Sequence, residues 1–307
     1  MLQSSYKTHA QTWEKMATIR TRPRREIEDD ELGFYPEERQ SLCFDPVITK
    51  LDPSVKNYIL LQSLYKYIND IIIFETEIVN KTALDIAKGR FPFDFPFAAK
   101  YDAMSVVIDE DYHAFVAMDF QRQIEQRTGT PPFQIFPEIE LSRAIPRAIE
   151  SLEDKYKAGM ELIAVAISEN TVTAEVAAFA KDTSIKRCIK GMMADHLADE
   201  GRHSRFWIEM VKMYWNGVDE DTRRAIGAVI PTFLEEYLTN EIQAEFDKAL
   251  INQLDIPEMV RKKIVSNLVN AYPITSQHPM ISNIRRFFMQ SGLLEHQPTA
   301  DRLQQYL

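Results

Sequence analysis

Apolar residues recur at three- and four-residue steps along most of the chain after residue 51, a period typical of α-helices that bury one face. The first such stretch begins near Pro53 and meets no helix breaker before Gly89. Further helical regions are predicted at about 98–127, 138–180, 184–215, 220–250 and 257–271. Pro146 predicts a break in one of these regions, and the prolines near the end of the chain predict a less regular tail. The pattern therefore predicts an all-α protein with long helices followed by shorter C-terminal ones.

Residues 1–50 lack this periodicity, and they are predicted to form an N-terminal arm that wraps the surface with little helix. The arm carries a basic run from Arg20 to Arg25, and an acidic run follows directly. Opposite charges so close in sequence favour a solvated arm, with its arginines paired to the neighbouring acids, over a nucleic-acid-binding arm. Residues 51–307 are predicted to form a single globular helical-bundle domain.

The composition narrows the class of protein and its surroundings. A total of 36 Lys and Arg stands against 46 Asp and Glu, and the resulting net charge of −10 argues against a nucleic-acid partner. Cys43 and Cys188 are too few for a disulfide framework and indicate a reduced, cytoplasmic setting. The first residues lack the pattern of a signal peptide, and the apolar runs are far shorter than a membrane span. We therefore expect no membrane partner.

The chemistry of the chain is indicated by the spacing of His196, Glu200 and His203. At about 100° per residue, positions i, i+4 and i+7 fall on one narrow face of a helix, so two imidazoles and a carboxylate would point the same way. A second E-x-x-H pair, Glu110 and His113, lies on the second long helix, predicted at about 98–127. Two such pairs on separate apolar helices are the motif of a di-iron or di-manganese carboxylate bundle.

A complete bundle site also needs one inward glutamate from each of the two other long helices. On the first helix Glu75 is the preferred candidate, because it shares the apolar stripe, and Glu77 is the second choice. On the third helix Glu169 is preferred, and Glu175 and Glu161 are the alternatives. Four carboxylates would cancel the charge of two ferrous ions, and neutral imidazoles would complete the coordination.

Other residues have predicted supporting or structural roles. Asp195 and Asp199 are candidates to orient the imidazoles, although cap or surface roles fit them equally well. The other three histidines, His9, His278 and His296, are expected to be surface or structural residues. The methionines near the motif, Met192, Met193, Met210 and Met213, are expected to pack in the core.

The additional His196, four residues before the glutamate of the second pair, resembles the pattern of the para-aminobenzoate N-oxygenase family of di-iron enzymes. The resemblance covers about residues 55–215 and implies a ferritin-like four-helix bundle with a di-iron core. The metal ligands that it implies are Glu75, Glu110, His113, Glu169, His196, Glu200 and His203.

The resemblance also implies an activity. An amine would be oxidised by O2 to a hydroxylamine, nitroso or nitro product. The reaction would be a step of natural-product biosynthesis, which belongs to secondary metabolism. The amine could be free or bound to a carrier protein, and Arg285 and Arg286 are candidates to bind a substrate carboxylate. The chain contains no flavin or nicotinamide motif, so electrons would come from an external donor. Relatives of this kind form homodimers, for which the helices after residue 220 are suited.

Several alternatives use the same elements. A di-iron bundle could instead hydroxylate or desaturate carbon, or store iron. A radical-bearing reductase subunit is disfavoured, because Ala117 stands where the radical tyrosine is expected and Tyr112 is a weak substitute. A metal-free helical interaction protein is a further class, and measuring the iron content would distinguish it.

Overall fold

Long α-helices form a four-helix bundle in the computed structural model, which describes residues 6–28, 30–268 and 279–306. In chain order the α-helices are α1 (Ala10–Met16), α2 (Thr18–Thr21), α3 (Pro53–Ile73), α4 (Asn80–Ala87), α5 (Phe97–Thr128), α6 (Glu140–Glu150), α7 (Asp154–Phe179), α8 (Arg187–Gly217), α9 (Glu220–Tyr237), α10 (Glu241–Gln253), α11 (Glu258–Leu268), α12 (Pro279–Ser291) and α13 (Gln297–Leu303). Within the described residues there is no strand, only an isolated bridge between Gly33 and Ile185. The all-α, ferritin-like prediction is confirmed.

One continuous helix from Pro53 to Ala87 supplies the first member of the bundle. It begins as predicted, because Asp52 accepts a hydrogen bond from the backbone N–H of Ser54 at 2.9 Å and the fixed φ of Pro53 suits a first helical position. Between α3 and α4 the backbone forms a π-helical turn, Phe74–Val79, which holds about one residue more per turn than an α-helix. The other three members are α5, α7 and α8.

Helix α7 is buried on all sides along its middle, where every side chain from Leu162 to Glu169 is buried. By length and apolar composition α7 could cross a membrane, which the short apolar runs of the sequence did not suggest. In the structure it packs against α8, α9 and α12, so its apolar side chains are covered by protein. This burial is typical of the core helix of a soluble protein.

Helices outside the four-helix bundle pack onto it and onto one another. Helices α6 and α13 contact α9, and α12 contacts both α7 and α8. A large apolar core extends from the bundle into these helices and includes Trp207, Phe233, Phe287 and Phe288, all fully buried. Helices α9, α12 and α13 therefore share one core with the bundle, whereas α10 and α11 pack with the arm and the start of α3 in a second apolar cluster.

Three predicted features of these regions are wrong. Pro146 does not end α6, because the burial of Leu141 and Ala148 offsets its missing hydrogen bond, and the break falls at residues 151–153. The region 220–250 is two helices, since Asn240 adopts a left-handed φ of 55° between them. The described part of the tail is helical, and Pro298 lies in the first turn of α13, where proline is tolerated. Pro273 and His278 lie outside the described residues.

The N-terminal arm contains α1, α2 and three 3₁₀ turns, Glu37–Arg39, Ser41–Phe44 and Ile48–Lys50. It runs over α5 and α8. Arg24 pairs with Asp119 on α5 through two hydrogen bonds of 2.9 Å, and Arg25 pairs with Asp195 on α8 at 2.5 Å. The arginines therefore pair chiefly with carboxylates of the bundle helices, and the predicted pairing with acids of the arm is limited to contacts such as Arg24 with Glu26.

The remaining single-residue expectations concern thiols, methionines and isolated histidines. Cys43 and Cys188 are both free and buried. The methionines singled out above pack in the core, fully or in part. His296 is structural, because it hydrogen-bonds to Thr299 at 2.7 Å and contacts Glu220 at 3.2 Å.

Candidate metal centre

All seven predicted ligands lie in the centre of the bundle and are buried. Glu75 is in the π-helical turn, Glu110 and His113 are on α5, and Glu169 is on α7. The remaining three, His196, Glu200 and His203, share one face of α8. Each of the four bundle helices therefore contributes at least one glutamate.

Two groups of potential ligand atoms can be distinguished. In the first, one atom each from Glu110, His113, Glu200 and His203 lies within 4.8 Å of every other. In the second, Glu75, His113 and His196 meet the same condition. His113 is common to both groups, so the two lie side by side.

Glu169 lies at the edge of this arrangement, outside both groups. Burial, followed by the charges of Glu200 and Glu110, raises its pKa well above the ordinary value. Its Oε2 atom is buried and has no hydrogen-bond partner among the described residues. A buried carboxylate oxygen in this situation is costly unless it meets a cation or a donor.

Several atoms approach one another without forming hydrogen bonds. His196 Nε2 lies 3.1 Å from Glu200 Oε1 and 3.2 Å from Glu75 Oε1, yet it has no aligned partner among the described residues. Similarly, Glu110 Oε1 lies 3.0 Å from His203 Nδ1 without an aligned bond. Buried nitrogen and carboxylate oxygen atoms that lie this close without a hydrogen bond suit coordination to a metal ion, and the set of four carboxylates and three imidazoles fits two such ions.

The electrostatics of the site reflect four carboxylates crowded into a dry volume. Burial and the neighbouring Glu75 raise the pKa of Glu110 to about 7. Burial also disfavours the charged form of Glu200, but His203 and His196 outweigh it and hold the Glu200 pKa well below its ordinary value. Burial and the charge of His113 lower the pKa of His196, but its contacts with Glu75 and Glu200 raise the pKa by more. The net effect is a His196 pKa of about 9. A divalent cation would relieve the repulsion between these carboxylates.

An aspartate directly precedes each E-x-x-H pair, and each aspartate contacts the histidine of the other helix. His113 Nε2 lies 3.2 Å from Asp199 on α8, and His203 Nε2 lies 3.1 Å from Asp109 on α5. Arg202 donates to both carboxylates, at 3.0 Å in the case of Asp109. Each of these carboxylates accepts a hydrogen bond from the Nε2 atom of its imidazole. The Nδ1 atoms of both imidazoles are therefore directed to the centre of the site.

Sequence reasoning found only part of this outer layer. Of the two candidates, Asp199 contacts an imidazole, that of His113 on the opposite helix. Asp195 instead pairs with Arg22 and Arg25, so it does not orient an imidazole, and the alternative role left open for it applies. Asp109 was missed, and the repeated D-E-x-x-H pattern was the signal that could have identified it.

The alternative glutamates lie elsewhere. Glu77 follows Thr76 in the π-helical turn, and its side chain is exposed to solvent. Glu161 pairs with Lys81 at 2.9 Å. Glu175 belongs to neither ligand group, and burial raises its pKa.

A cavity of about 90 Å³ lies beside two of the histidines, His113 and His196. Its apolar wall consists of Ile71, Tyr112, Phe115, Val116, Ala117, Phe120 and Met192. The arm covers it with Thr18 and with residues 22–25. Arg286 instead lines a separate cleft between α7, α8 and α12, and Arg285 is exposed, so the structure does not place either arginine at this cavity.

A four-helix bundle with four glutamates and three histidines at its centre defines the ferritin-like class of di-metal carboxylate proteins. Residues 12–292 match the family of the P-aminobenzoate N-oxygenase AurF, and the chain belongs to this family. The match extends well beyond the residues on which the resemblance was first based.

A 4-aminobenzoate N-oxygenase of Streptomyces thioluteus is 24% identical to this chain over 216 residues. The alignment covers 68% of this chain and 63% of that relative. The chain therefore matches somewhat less than two thirds of the relative's length.

Proposed function

We propose that this protein is an O2-dependent di-iron N-oxygenase that oxidises an amine to a hydroxylamine, and further to a nitroso or nitro product. The main support is the meeting of two E-x-x-H pairs with Glu75 and His196 inside a chain of the P-aminobenzoate N-oxygenase family. In the first step the amine R–NH2, O2, two electrons and two protons give R–NHOH and water. The electrons come from an external reductant or electron-donor protein.

The seven central side chains would hold two iron ions. Glu110, His113, Glu200 and His203 form one set of donors, and Glu75 with His196 extends it toward the second ion. Glu169 would supply the fourth carboxylate, since its unpartnered oxygen is buried near Glu110 and Glu200. Ferrous iron held there would supply open coordination positions for O2 and would pass on the electrons that the external reductant provides.

The protein's own groups would prepare this chemistry in three ways. Asp109 and Asp199 hold the Nε2 protons of His203 and His113, so that both Nδ1 atoms remain available as ligands. The apolar cavity wall excludes water from the site. The cavity also gives an amine a path to the face of the site formed by His113 and His196.

The size and charge of the cavity favour a small substrate. A volume of about 90 Å³ is suited to one compact group, such as a single ring or a short amine, rather than a bulky molecule. Arg24 and Arg25 at its edge are already paired with Asp119 and Asp195. The arginines therefore bring little uncompensated charge to a substrate.

We also propose that the protein is a cytoplasmic homodimer. Exposed apolar residues on α5 form a row of two groups: Phe97, Tyr101 and Met104, then Phe115 and Met118. The steps within each group are three or four residues and the step between them is eleven, which is about three turns, so all five lie on one side of the helix. This row supports a dimer contact at α5 better than one confined to the helices after residue 220. Light scattering of the purified protein measures the mass and tests the dimer.

The activity can be tested by loading the protein with ferrous iron without oxygen, then adding ¹⁸O2, a reductant and a panel of amines, free and carrier-bound. We expect about two irons per chain and ¹⁸O on nitrogen in the product, identified by mass spectrometry. His196→Ala should lose iron and product formation together, whereas the exposed Glu77→Gln should retain both. Label found only on carbon would contradict N-oxygenation, and full iron loading in His196→Ala would contradict the ligand set.

A further inference from the structure

The N-terminal arm reaches the two aspartates that hold the imidazoles. The indole Nε1 of Trp13 donates to Asp109 Oδ1 at 2.9 Å. The backbone N–H of Thr18 lies 3.2 Å from Asp199 Oδ1, and its hydroxyl donates to Asp199 Oδ2. Asp109, Asp199 and Thr18 are all buried. Residues 96 and 181 positions apart in sequence are thus joined directly behind the candidate metal centre.

The contacts around each aspartate show what the arm contributes. Asp109 uses Oδ2 for His203 and Arg202, and only the arm's indole reaches Oδ1 among the described residues. Asp199 also receives Arg202 and an imidazole, and the arm adds two further donors. Two buried carboxylates share one guanidinium, so neutral donors from the arm complete their hydrogen bonding.

A carboxylate can orient an imidazole only if its own plane is fixed. Without Trp13, Oδ1 of Asp109 would lie buried without a donor, and the carboxylate could rotate out of the plane in which Oδ2 meets His203. Loss of the Thr18 hydroxyl would remove the short hydrogen bond to Asp199 Oδ2 and leave the Thr18 backbone N–H as the arm's contact with this carboxylate. In both cases the Nε2 contact that directs Nδ1 into the site would weaken.

We propose that the arm is part of the metal centre, with Trp13 and Thr18 as positioning residues that lock Asp109 and Asp199 behind His203 and His113. This inference rests on the proposed iron site. It assigns the arm a role in metal retention, beyond covering the surface of α5 and α8.

The chain provides a matched control on the same arm. The Tyr6 hydroxyl donates to Asp102 at 2.7 Å, and the Thr8 hydroxyl donates to the same carboxylate at 2.6 Å. Asp102 lies seven residues before Asp109 on α5 and is equally buried. Among the described residues its hydrogen bonds are with the arm and Ser105, and none is with an imidazole. Tyr6→Phe therefore loosens the arm without touching the proposed site.

The test compares Trp13→Phe, Thr18→Val, Thr18→Ser and Tyr6→Phe in the full chain. Ferrous-iron affinity is measured without oxygen by competition with a chromogenic chelator, and circular dichroism and the thermal unfolding midpoint report folding. The ligand-field absorption of the cobalt(II)-loaded proteins reports the geometry of the site. We expect Trp13→Phe and Thr18→Val to weaken iron binding by about tenfold or more, as for other residues behind metal ligands.

The pattern across the variants decides the inference. Thr18→Ser retains the hydroxyl and should restore affinity and the cobalt spectrum, and Tyr6→Phe should match the wild type in both. Equal affinity in the wild type, Trp13→Phe and Thr18→Val would overturn the role of the arm while leaving the iron site intact. An equal loss in Tyr6→Phe would also overturn it, because general loosening would then explain the effect. A wild-type protein that binds no ferrous iron would instead refute the proposed function itself.

Discussion

Replacing the Glu110 carboxylate by an amide is expected to stabilise the metal-free protein at alkaline pH. Burial and the Glu75 charge raise the pKa of Glu110 from 4.5 to about 7 in the folded state. A shift of this size corresponds to roughly 3 kcal/mol of folding free energy between the two protonation states. Glu110→Gln keeps the shape of the side chain and removes its charge.

The sign of the effect follows from the direction of the shift. Because the folded state binds this proton more tightly than the unfolded state, the contribution of Glu110 is fully present below about pH 4.5 and is lost as pH rises through about 7. The variant should therefore be more stable than the wild type by about 3 kcal/mol at pH 8, and the difference should vanish near pH 4.5.

Urea denaturation of chelator-treated protein at several pH values measures this difference. Added ferrous iron should reverse its sign, since metal binding stabilises only a protein that retains its ligands. The exposed Glu77→Gln serves as the control and should behave as the wild type throughout. A metal-free Glu110→Gln that is less stable than the wild type at pH 8 would refute the idea that the carboxylates repel one another in the empty site.

Three further predictions concern packing and metal. Gly159→Ala would place a methyl group against the Tyr214 ring and 2.7 Å from Ile226 Cδ1. This overpacking should lower the free energy of unfolding by about 1–3 kcal/mol and lower the thermal unfolding midpoint. An unchanged midpoint would show that the ring can move away. Glu75→Gln should reduce iron content by elemental analysis, and equal iron in both proteins would exclude this carboxylate as a ligand. Chelation of iron from the wild type should lower the thermal midpoint, and no change would argue against a structural contribution of the metal.

The centre of the site was predictable because its signal is local. The E-x-x-H spacing of Glu110 with His113, and of Glu200 with His203, becomes one helix face without reference to the rest of the fold. The apolar stripe of α3 favoured Glu75 over Glu77, and the family resemblance decided between them; Glu75 is buried and Glu77 is exposed.

The outer layer could not be derived in this way. The contacts of Trp13 with Asp109 and of Thr18 with Asp199 join distant parts of the chain, and neither has a fixed spacing. The helix boundaries failed for a related reason. Tertiary packing retains Pro146 inside α6, and a left-handed residue, Asn240, precedes α10 in the short connection from α9, where apolar periodicity alone would continue.

The first bundle helix has to place Glu75 in the centre of the bundle and also bury one side of α4. The π-helical turn Phe74–Val79 lets the helix do both, because it changes the rotation of α4 relative to α3. Upstream, α3 buries one face against its neighbours, and downstream Ala83 and Ile86 are fully buried on α4. Deleting one residue between them would rotate one half of the helix by about 100° relative to the other. Either Glu75 would leave the centre of the bundle or the buried side of α4 would turn to solvent. The extra residue is thus a backbone insertion that this protein cannot lose without giving up its carboxylate or its packing.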